Sequence, residues 1–525
     1  MDQPVSRLDN EPDLELDLER FRLRRFVETL QDEDIEIHDE AIDLADVGRM
    51  LDGNRKAVWL RAIGPEGSEL VGNVIGTRER LALALNTTAE KLTGEVMRRL
   101  KTTPEFIEIE RSQAPVQEVV ELGDDINLMN YPVHLQHGLD GGLYISSALD
   151  VSVDASTGLS NTGIRRLMLR SARETGIGLT APSDLRAIYE KSAKKGEHLP
   201  VSFVIGSHPI DSLASQFRIP SDELGLMASL RETALPLVKC ITNDLRVPAD
   251  SEMVIEGYLD AAGHVEPEGP YGEFLGYYGI VKPNPTFHVT AITRRRDALF
   301  QTMTIAGRNM SSTDSAQLMA VRTEVTVWQA LANAVREPVA VHATASSGGM
   351  FNVRVALRQR VPGEARNAIA AVFGSLANVK HVFVVDPDID VYSHEQMDWA
   401  FATRFQADKD FVIQTGMRAL PTDPSLEGSR IQAKAGFDCT MPMMPKRSIA
   451  LTVPEYPRYE GARFPSMEAA LIHGPKTFED LMAALGSRDG REIVKPLDEI
   501  RRQGKVKLNQ DGRWAWTVSA QKNNG

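Results

Sequence analysis

Cysteine is scarce: Cys240 and Cys439 are the only two in 525 residues. Neither stands in a C-x-x-C spacing, so a thiolate metal centre of that kind is excluded, and no disulfide framework is implied. Positive charge is in the minority. With 59 Lys and Arg against 73 Asp and Glu the net charge is −14, which argues against a general nucleic-acid or anionic-membrane binder. No run of about 18 apolar residues suggests a membrane span. The first residues, MDQPVSRLDNEPDLELDLER, are acidic and lack an apolar core, so no secretory leader is expected. A reducing cytoplasm is the expected location. No G-x-G-x-x-G fingerprint marks a nicotinamide site.

The apolar and charged fractions, 42% and 25%, are those of a soluble globular protein. The length exceeds one ordinary core and predicts two or three domains. Residues 1–18 read as a disordered acidic tail. Residues 19–122 read as a small α/β unit: a helix at 23–30, strands at 56–62 and 69–75, helices at 77–85 and 89–100, then an extended linker. From 123 to 310 the pattern turns to short alternating runs at 144–153, 200–205, 237–240, 252–259 and 286–294, expected to form an antiparallel barrel or sandwich. Helices are expected to interrupt it at 183–195 and 222–232.

Leu318, Val321, Val325, Trp328 and Leu331 recur at helical spacing and predict a linker helix within 311–337. Strands at 339–344, 351–357 and 381–385 alternate with helices at 364–376 and 394–404, a second α/β domain over 338–475. Asp386, Asp388 and Asp390 follow one strand and read as a solvated turn, with cation binding as the alternative. Residues 476–525 read as a helix–helix–hairpin extension without the basic charge of a nucleic-acid reader.

The chemistry is expected in residues 251–278, SEMVIEGYLDAAGHVEPEGPYGEFLGYY. Glu268 and Glu273 lie five residues apart. On a helix they would diverge by about 140°, but the intervening Gly-Pro favours a turn. A turn either folds both carboxylates into one pocket, where unlike environments make an acid and an ion-pair partner, or leaves both solvated. Arg166, in Asn-Thr-Gly-Ile-Arg-Arg (161–166), is a fork suited to carboxylate or phosphate.

The order DGGLYISS, NTGIRR, LVKCITNDLRVPADSEMVIEG and EPEGPYGEFLGYYG, flanked by GNVIGTRERLALAL and KAGFDCT, resembles the UbiD-type decarboxylase family. The resemblance runs from about residue 70 to 440. It implies a split β-barrel that binds prenylated FMN, with an α/β oligomerisation domain after the linker helix. It also implies reversible, non-oxidative removal of carboxylate from an aromatic or heteroaromatic acid through a covalent flavin adduct. Arg166, Glu268 and Glu273 match the family's catalytic Glu-Arg-Glu set, with Glu273 as proton donor and Arg166 holding Glu268, flavin and substrate carboxylate. Decarboxylation leaves electron density that no side chain can accept, which agrees with a cofactor.

By the same resemblance Asn161, Ile164, Arg166, Glu223 and Lys434 bind the flavin. Asn161 and Glu223 hold a divalent ion of manganese type (or Mg²⁺), with K⁺ nearby. The family's ligand His has no counterpart between His137 and His198. Its approximate place, 181–185, offers Asp184 as an oxygen ligand. Met303, Ile305 and Tyr271 are expected to line the substrate pocket. A flavin prenyltransferase is the expected cofactor supplier, and a homodimer or homohexamer the expected assembly. Two other readings stay open: an FMN-dependent oxidoreductase, and a catalytically silent flavin-binding or assembly protein, motivated by the missing His.

Overall fold

The computed structural model describes residues 17–218, 221–443 and 453–517. Most of the expected disordered tail, residues 1–16, lies outside the described residues. Two compact units divide at Thr440 and Met441. Among the described residues no helix is long and apolar enough to cross a membrane.

The first unit opens with a four-stranded sheet in the order Ile35–Ile42, Ala57–Ile63, Ser68–Gly72, Phe300–Thr302. The last strand is supplied from far along the chain. Helix Arg78–Ala84 starts at Thr77, whose hydroxyl accepts from the Arg80 amide, a favoured N-cap.

Six strands close the barrel: Tyr144–Val153, Ser160–Leu169, Glu174–Ile177, Leu199–Ile205, Met253–Leu259 and Thr286–Arg294. Closure comes from Met253–Leu259, antiparallel to both Leu199–Ile205 and Thr286–Arg294. Alternate side chains such as Leu167, Phe203, Ile255 and Phe287 share one buried core, the two-residue period of a strand. Two barrel strands, Ser160–Leu169 and Glu174–Ile177, were not among the expected runs, because their sequences are polar, arginine-rich or short. Conversely, the run at 237–240 is no barrel strand. It belongs to Leu235–Lys239, in a separate three-stranded sheet with Arg246–Pro248 and Phe106–Glu108.

Helix Asp314–Ala332 serves two cores. Leu318, Val321 and Val325 pack on the barrel side, whereas Ala320, Val327 and Leu331 pack into the following domain. That domain is a five-stranded sheet in the order Pro338–Ala343, Asn352–Leu357, His381–Val385, Ile431–Cys439, Phe411–Arg418. The turn after His381–Val385 is tied by Arg404, which grips Asp388 at 2.7 and 3.0 Å and reaches Asp386 at 3.5 Å.

The second unit contains helices Met467–His473, Phe478–Leu485 and Arg491–Arg502 and the hairpin Val506–Leu508/Trp514–Trp516. It begins before the expected boundary at 476, because Met467, Ala470 and Leu471 share its core with Leu481, Ile493 and Val506.

Candidate active site

Arg166 leaves strand Ser160–Leu169 between two carboxylates that lie 102 and 107 residues further along the chain. Its Nε and one terminal nitrogen donate to the two oxygens of Glu268 at 2.8 and 3.0 Å, and its other terminal nitrogen donates to Glu273 Oε1 at 2.8 Å. The guanidinium carbon lies 4.7 Å from the centre of the Tyr271 ring. Two anions beside it raise the Arg166 pKa, against the opposing effect of burial, so the cation is permanent.

The two carboxylates are not equivalent. Glu268 is 1% exposed and also accepts from the Tyr144 hydroxyl at 3.2 Å and from Asn284 Nδ2 at 3.1 Å. Both of its oxygens are therefore taken by donors, and it serves as an acceptor only. Glu273 retains 14% side-chain exposure. Its Oε1 meets Arg166, while Oε2 has no hydrogen-bond partner among the described residues. The hairpin comes close behind it: a Cβ on Gly279 would stand 2.5 Å from Glu273 Oε1, so only glycine fits there without displacing the carboxylate.

One buried carboxylate not singled out in the sequence stitches this turn in place. Asp140 accepts from the Gly272 and His137 amides, each at 2.9 Å, and faces His137 Nδ1 at 3.1 Å. Gly141 donates to the Pro270 carbonyl at 2.8 Å, and Leu139 N donates to the Tyr278 hydroxyl at 3.0 Å. Asp140 opens the DGGLYISS motif, but its partner Gly272 lies 132 residues away. Tyr144 and Asn284 were likewise not singled out.

The expected metal ligands lie at another part of the barrel wall. Asn161 and Arg166, five residues apart on one strand, meet different partners. Asn161 Nδ2 donates to the buried Asp150 at 2.6 Å, and Arg165 Nε donates to the same carboxylate at 2.7 Å. Glu223, the first residue of helix Glu223–Arg231, accepts the Thr162 amide through Oε2 at 2.5 Å. Burial, with the nearby charges of Asp150 and Asp184, pushes its carboxyl up to about 8. Asp184 starts helix Asp184–Ala193 and is exposed. The side-chain oxygens of Asn161, Asp150 and Glu223 are hard donors, which fits a hard cation. Among the described residues no group of three or more His, Cys, Asp or Glu could by itself hold a metal ion.

Ile164 packs against the barrel-side core. Lys434, on strand Ile431–Cys439, is buried and donates to the Phe373 carbonyl at 3.0 Å. Burial and the neighbouring Arg418 lower its ammonium to about 8. Of the three residues expected to line the substrate pocket, two are buried. Tyr271 is buried, with its hydroxyl on Gln136 Oε1 at 2.6 Å, and Met303 is packed in the core. Of the three, Ile305 alone keeps partial exposure.

Comparison with known proteins identifies the family. Residues 107–309 match UbiD, the 3-octaprenyl-4-hydroxybenzoate carboxy-lyase Rift-related domain, and residues 316–439 match the C-terminal domain of the same carboxy-lyase. The chain is 30% identical over 386 residues to the anhydromevalonate phosphate decarboxylase of Methanosarcina mazei, covering 73% of this chain and 87% of that protein. It is 29% identical over 414 residues to the phenolic acid decarboxylase of Escherichia coli O157:H7, covering 76% and 86%. The UbiD-class enzyme HmfF from Pelotomaculum thermopropionicum, solved in complex with FMN, superposes with a TM-score of 0.75 at 30% identity, covering 85% of this chain and 98% of that one. An evolved dimeric form of HmfF, in complex with prFMN, gives 0.74 at 29% identity, covering 83% and 97%. The chain belongs to the UbiD family of carboxy-lyases.

Proposed function

We propose that this chain catalyses the reversible, non-oxidative decarboxylation of an aromatic or heteroaromatic acid with prenylated FMN as cofactor. The observation that carries this reading is the asymmetry of the two glutamates around Arg166. Glu268, saturated by Arg166, Tyr144 and Asn284, fixes the guanidinium. Glu273, with one oxygen on Arg166 and the other open, is held in place yet able to carry a proton. Prenylated FMN supplies the electron sink that protein side chains lack.

The roles of the protein groups follow. Arg166 orients the substrate carboxylate by charge and by its fork geometry. Glu273 delivers a proton to the carbon that loses carbon dioxide and removes it in the reverse direction. Asp140 keeps the 269–279 hairpin, and so Glu273, at a constant place. Asn161, Glu223 and Asp184 would hold a divalent ion of manganese or magnesium type, with K⁺ beside it, and Lys434 would reach the cofactor phosphate. The reading is supported by relatives described as phenolic acid decarboxylases and by neighbours solved with FMN and prFMN. We also propose a homo-oligomer formed through the 338–440 domain, as a homodimer or homohexamer, and a flavin prenyltransferase as cofactor supplier.

The test is the mass and absorption spectrum of the flavin bound to protein co-produced with a flavin prenyltransferase. It is joined to decarboxylation and ring-proton exchange in deuterium oxide over an acid panel that includes phenolic and heteroaromatic acids and anhydromevalonate phosphate. Turnover of an aryl acid with the prenylated flavin, and none with FMN alone, is expected. Full activity with unmodified FMN would refute the mechanism. Bound flavin without turnover of any acid would favour a silent binding protein.

A further inference from the structure

Tyr271 lies between Arg166 and a polar network that the decarboxylation reading does not use. The Arg166 guanidinium sits over its ring at 4.7 Å, and the Tyr144 ring tilts against it at 4.5 Å. Tyr271 is buried, and burial keeps its hydroxyl protonated, with a pKa well above the ordinary value. That hydroxyl donates to Gln136 Oε1 at 2.6 Å. Gln136 Nε2 in turn donates to Ser146 Oγ at 2.7 Å and to Thr302 Oγ1 at 3.3 Å. Ser146 Oγ accepts from the Met303 amide at 3.0 Å and donates to the Met303 carbonyl at 2.8 Å.

A β-bulge makes this network possible. Strand Tyr144–Val153 pairs with Ser160–Leu169 through Ile145 with Leu167 and Ala148 with Arg165, so Ser146 and Ser147 together stand opposite Arg166. Two residues against one re-aim their side chains, a device over-represented next to active sites. Here both hydroxyls reach one segment: Ser147 Oγ donates to the Gln301 carbonyl at 2.6 Å, beside the pair that Ser146 makes with Met303. The network therefore ends on the backbone of strand Phe300–Thr302, which is itself held parallel to Ser68–Gly72. Its hydrogen bonds run head to tail from Tyr271 to that backbone, an order in which each bond polarises the next. A donating phenol keeps its ring rich in electrons, which favours a cation on the ring face.

We propose that Gln136 is a positioning residue for the decarboxylation: by accepting from the Tyr271 hydroxyl it fixes the ring against which Arg166 lies, and so sets where the guanidinium meets Glu273 and the substrate carboxylate. This rests on the decarboxylase reading above and extends it to a residue with no role in that reading. Glu268 and Glu273 hold the nitrogens of Arg166, whereas the Tyr271 ring closes off one side of the group. Without Gln136 the buried hydroxyl loses its acceptor, and the ring turns to find another. A displacement of about 1 Å at a reacting group costs up to about 10²-fold in rate.

The test uses three variants of the full-length chain. Gln136→Leu removes the acceptor, Tyr271→Phe removes the donor but keeps the ring, and Gln136→Glu keeps an acceptor oxygen. In the flavin-loaded enzyme the first two should each lower kcat about ten-fold with KM within about two-fold, and Gln136→Glu should retain most of the wild-type kcat. The double variant Gln136→Leu/Tyr271→Phe should be no slower than either single one, because both remove the same bond. A second readout needs neither flavin nor turnover: the Arg166 Nε–H resonance of ¹⁵N-arginine-labelled protein, assigned by its loss in Arg166→Lys and displaced by the ring current of Tyr271. It should move in Gln136→Leu and in Tyr271→Phe and stay in place in Gln136→Glu. Should Gln136→Leu not fold, Tyr271→Phe decides by the same two measures. Wild-type kcat or an unmoved resonance in Gln136→Leu and Tyr271→Phe overturns the proposal, and so do losses that multiply in the double variant. Absence of turnover by the wild type on any acid would count against the decarboxylase reading alone, and the resonance would still decide the role of Gln136.

Discussion

Two charged regions of this molecule solve opposite problems. Around Arg166 every strong charge has its partner: two carboxylates share one guanidinium, and Tyr144 and Asn284 complete Glu268. Elsewhere Arg218, Arg322, Arg418 and Lys434 form no salt bridge among the described residues and donate to carbonyls, an amide and a sulfur. The first arrangement holds side chains in one geometry before any ligand arrives, which is what a reacting group needs. The second leaves each cation to neutral partners. The single open oxygen of Glu273 is the exception within the first region, and it is where a proton can be carried.

Removing that exception should have the largest effect. Glu273→Gln keeps the shape and the Arg166 contact but cannot exchange a proton. Turnover should fall about 10²–10⁴-fold with the flavin content unchanged; near-wild-type rates would remove Glu273 from the chemistry. Breaking the partnership itself comes next. Arg166→Ala leaves Glu268 buried without its cation, a change that typically costs about 3–5 kcal/mol. Thermal unfolding should report a large loss, whereas Glu273→Gln should unfold near the wild-type temperature.

Asp140 tests whether position alone matters. Asp140→Asn turns an amide NH₂ toward the Gly272 or His137 N–H and should cost about 1–3 kcal/mol, lowering kcat more than it raises KM. An unchanged kcat would confine Asp140 to stability.

The smallest effect separates the two regions by pH. Lys434 is lowered to about 8 from an ordinary 10.5. Between these values the folded, flavin-free chain binds fewer protons than the unfolded one. On this account its stability rises with pH across that window, while its hold on an anion weakens as the ammonium is lost. FMN retention should therefore fall a few-fold above about pH 8, and Lys434→Met should abolish that dependence along with part of the affinity.

Much of the architecture was legible because it is local. Tyr144–Val153, Thr286–Arg294, His381–Val385 and His394–Arg404 coincide with the apolar runs and periodicities read for them, since period and punctuation are properties of neighbouring residues. Strands Phe411–Arg418 and Ile431–Cys439 were missed. Phe411–Arg418 lies at a sheet edge, largely exposed, and a strand of this kind has no alternating apolar signal to read. The barrel strand Ser160–Leu169 was hidden in the same way by its polar and arginine-rich sequence.

The site divides along the same line. Sequence alone determined the residue types and the order of the motifs, and with them the family, Arg166, Glu268 and Glu273. Only the tertiary structure decided that Glu268 is saturated and Glu273 half open, and that Asn161 meets Asp150 while Arg166 meets the two glutamates. Each of these depends on contacts between residues about a hundred or more positions apart, or on the side of a strand that a closed barrel turns inward. Barrel closure and the two-faced linker helix set those distances, and no local pattern encodes them.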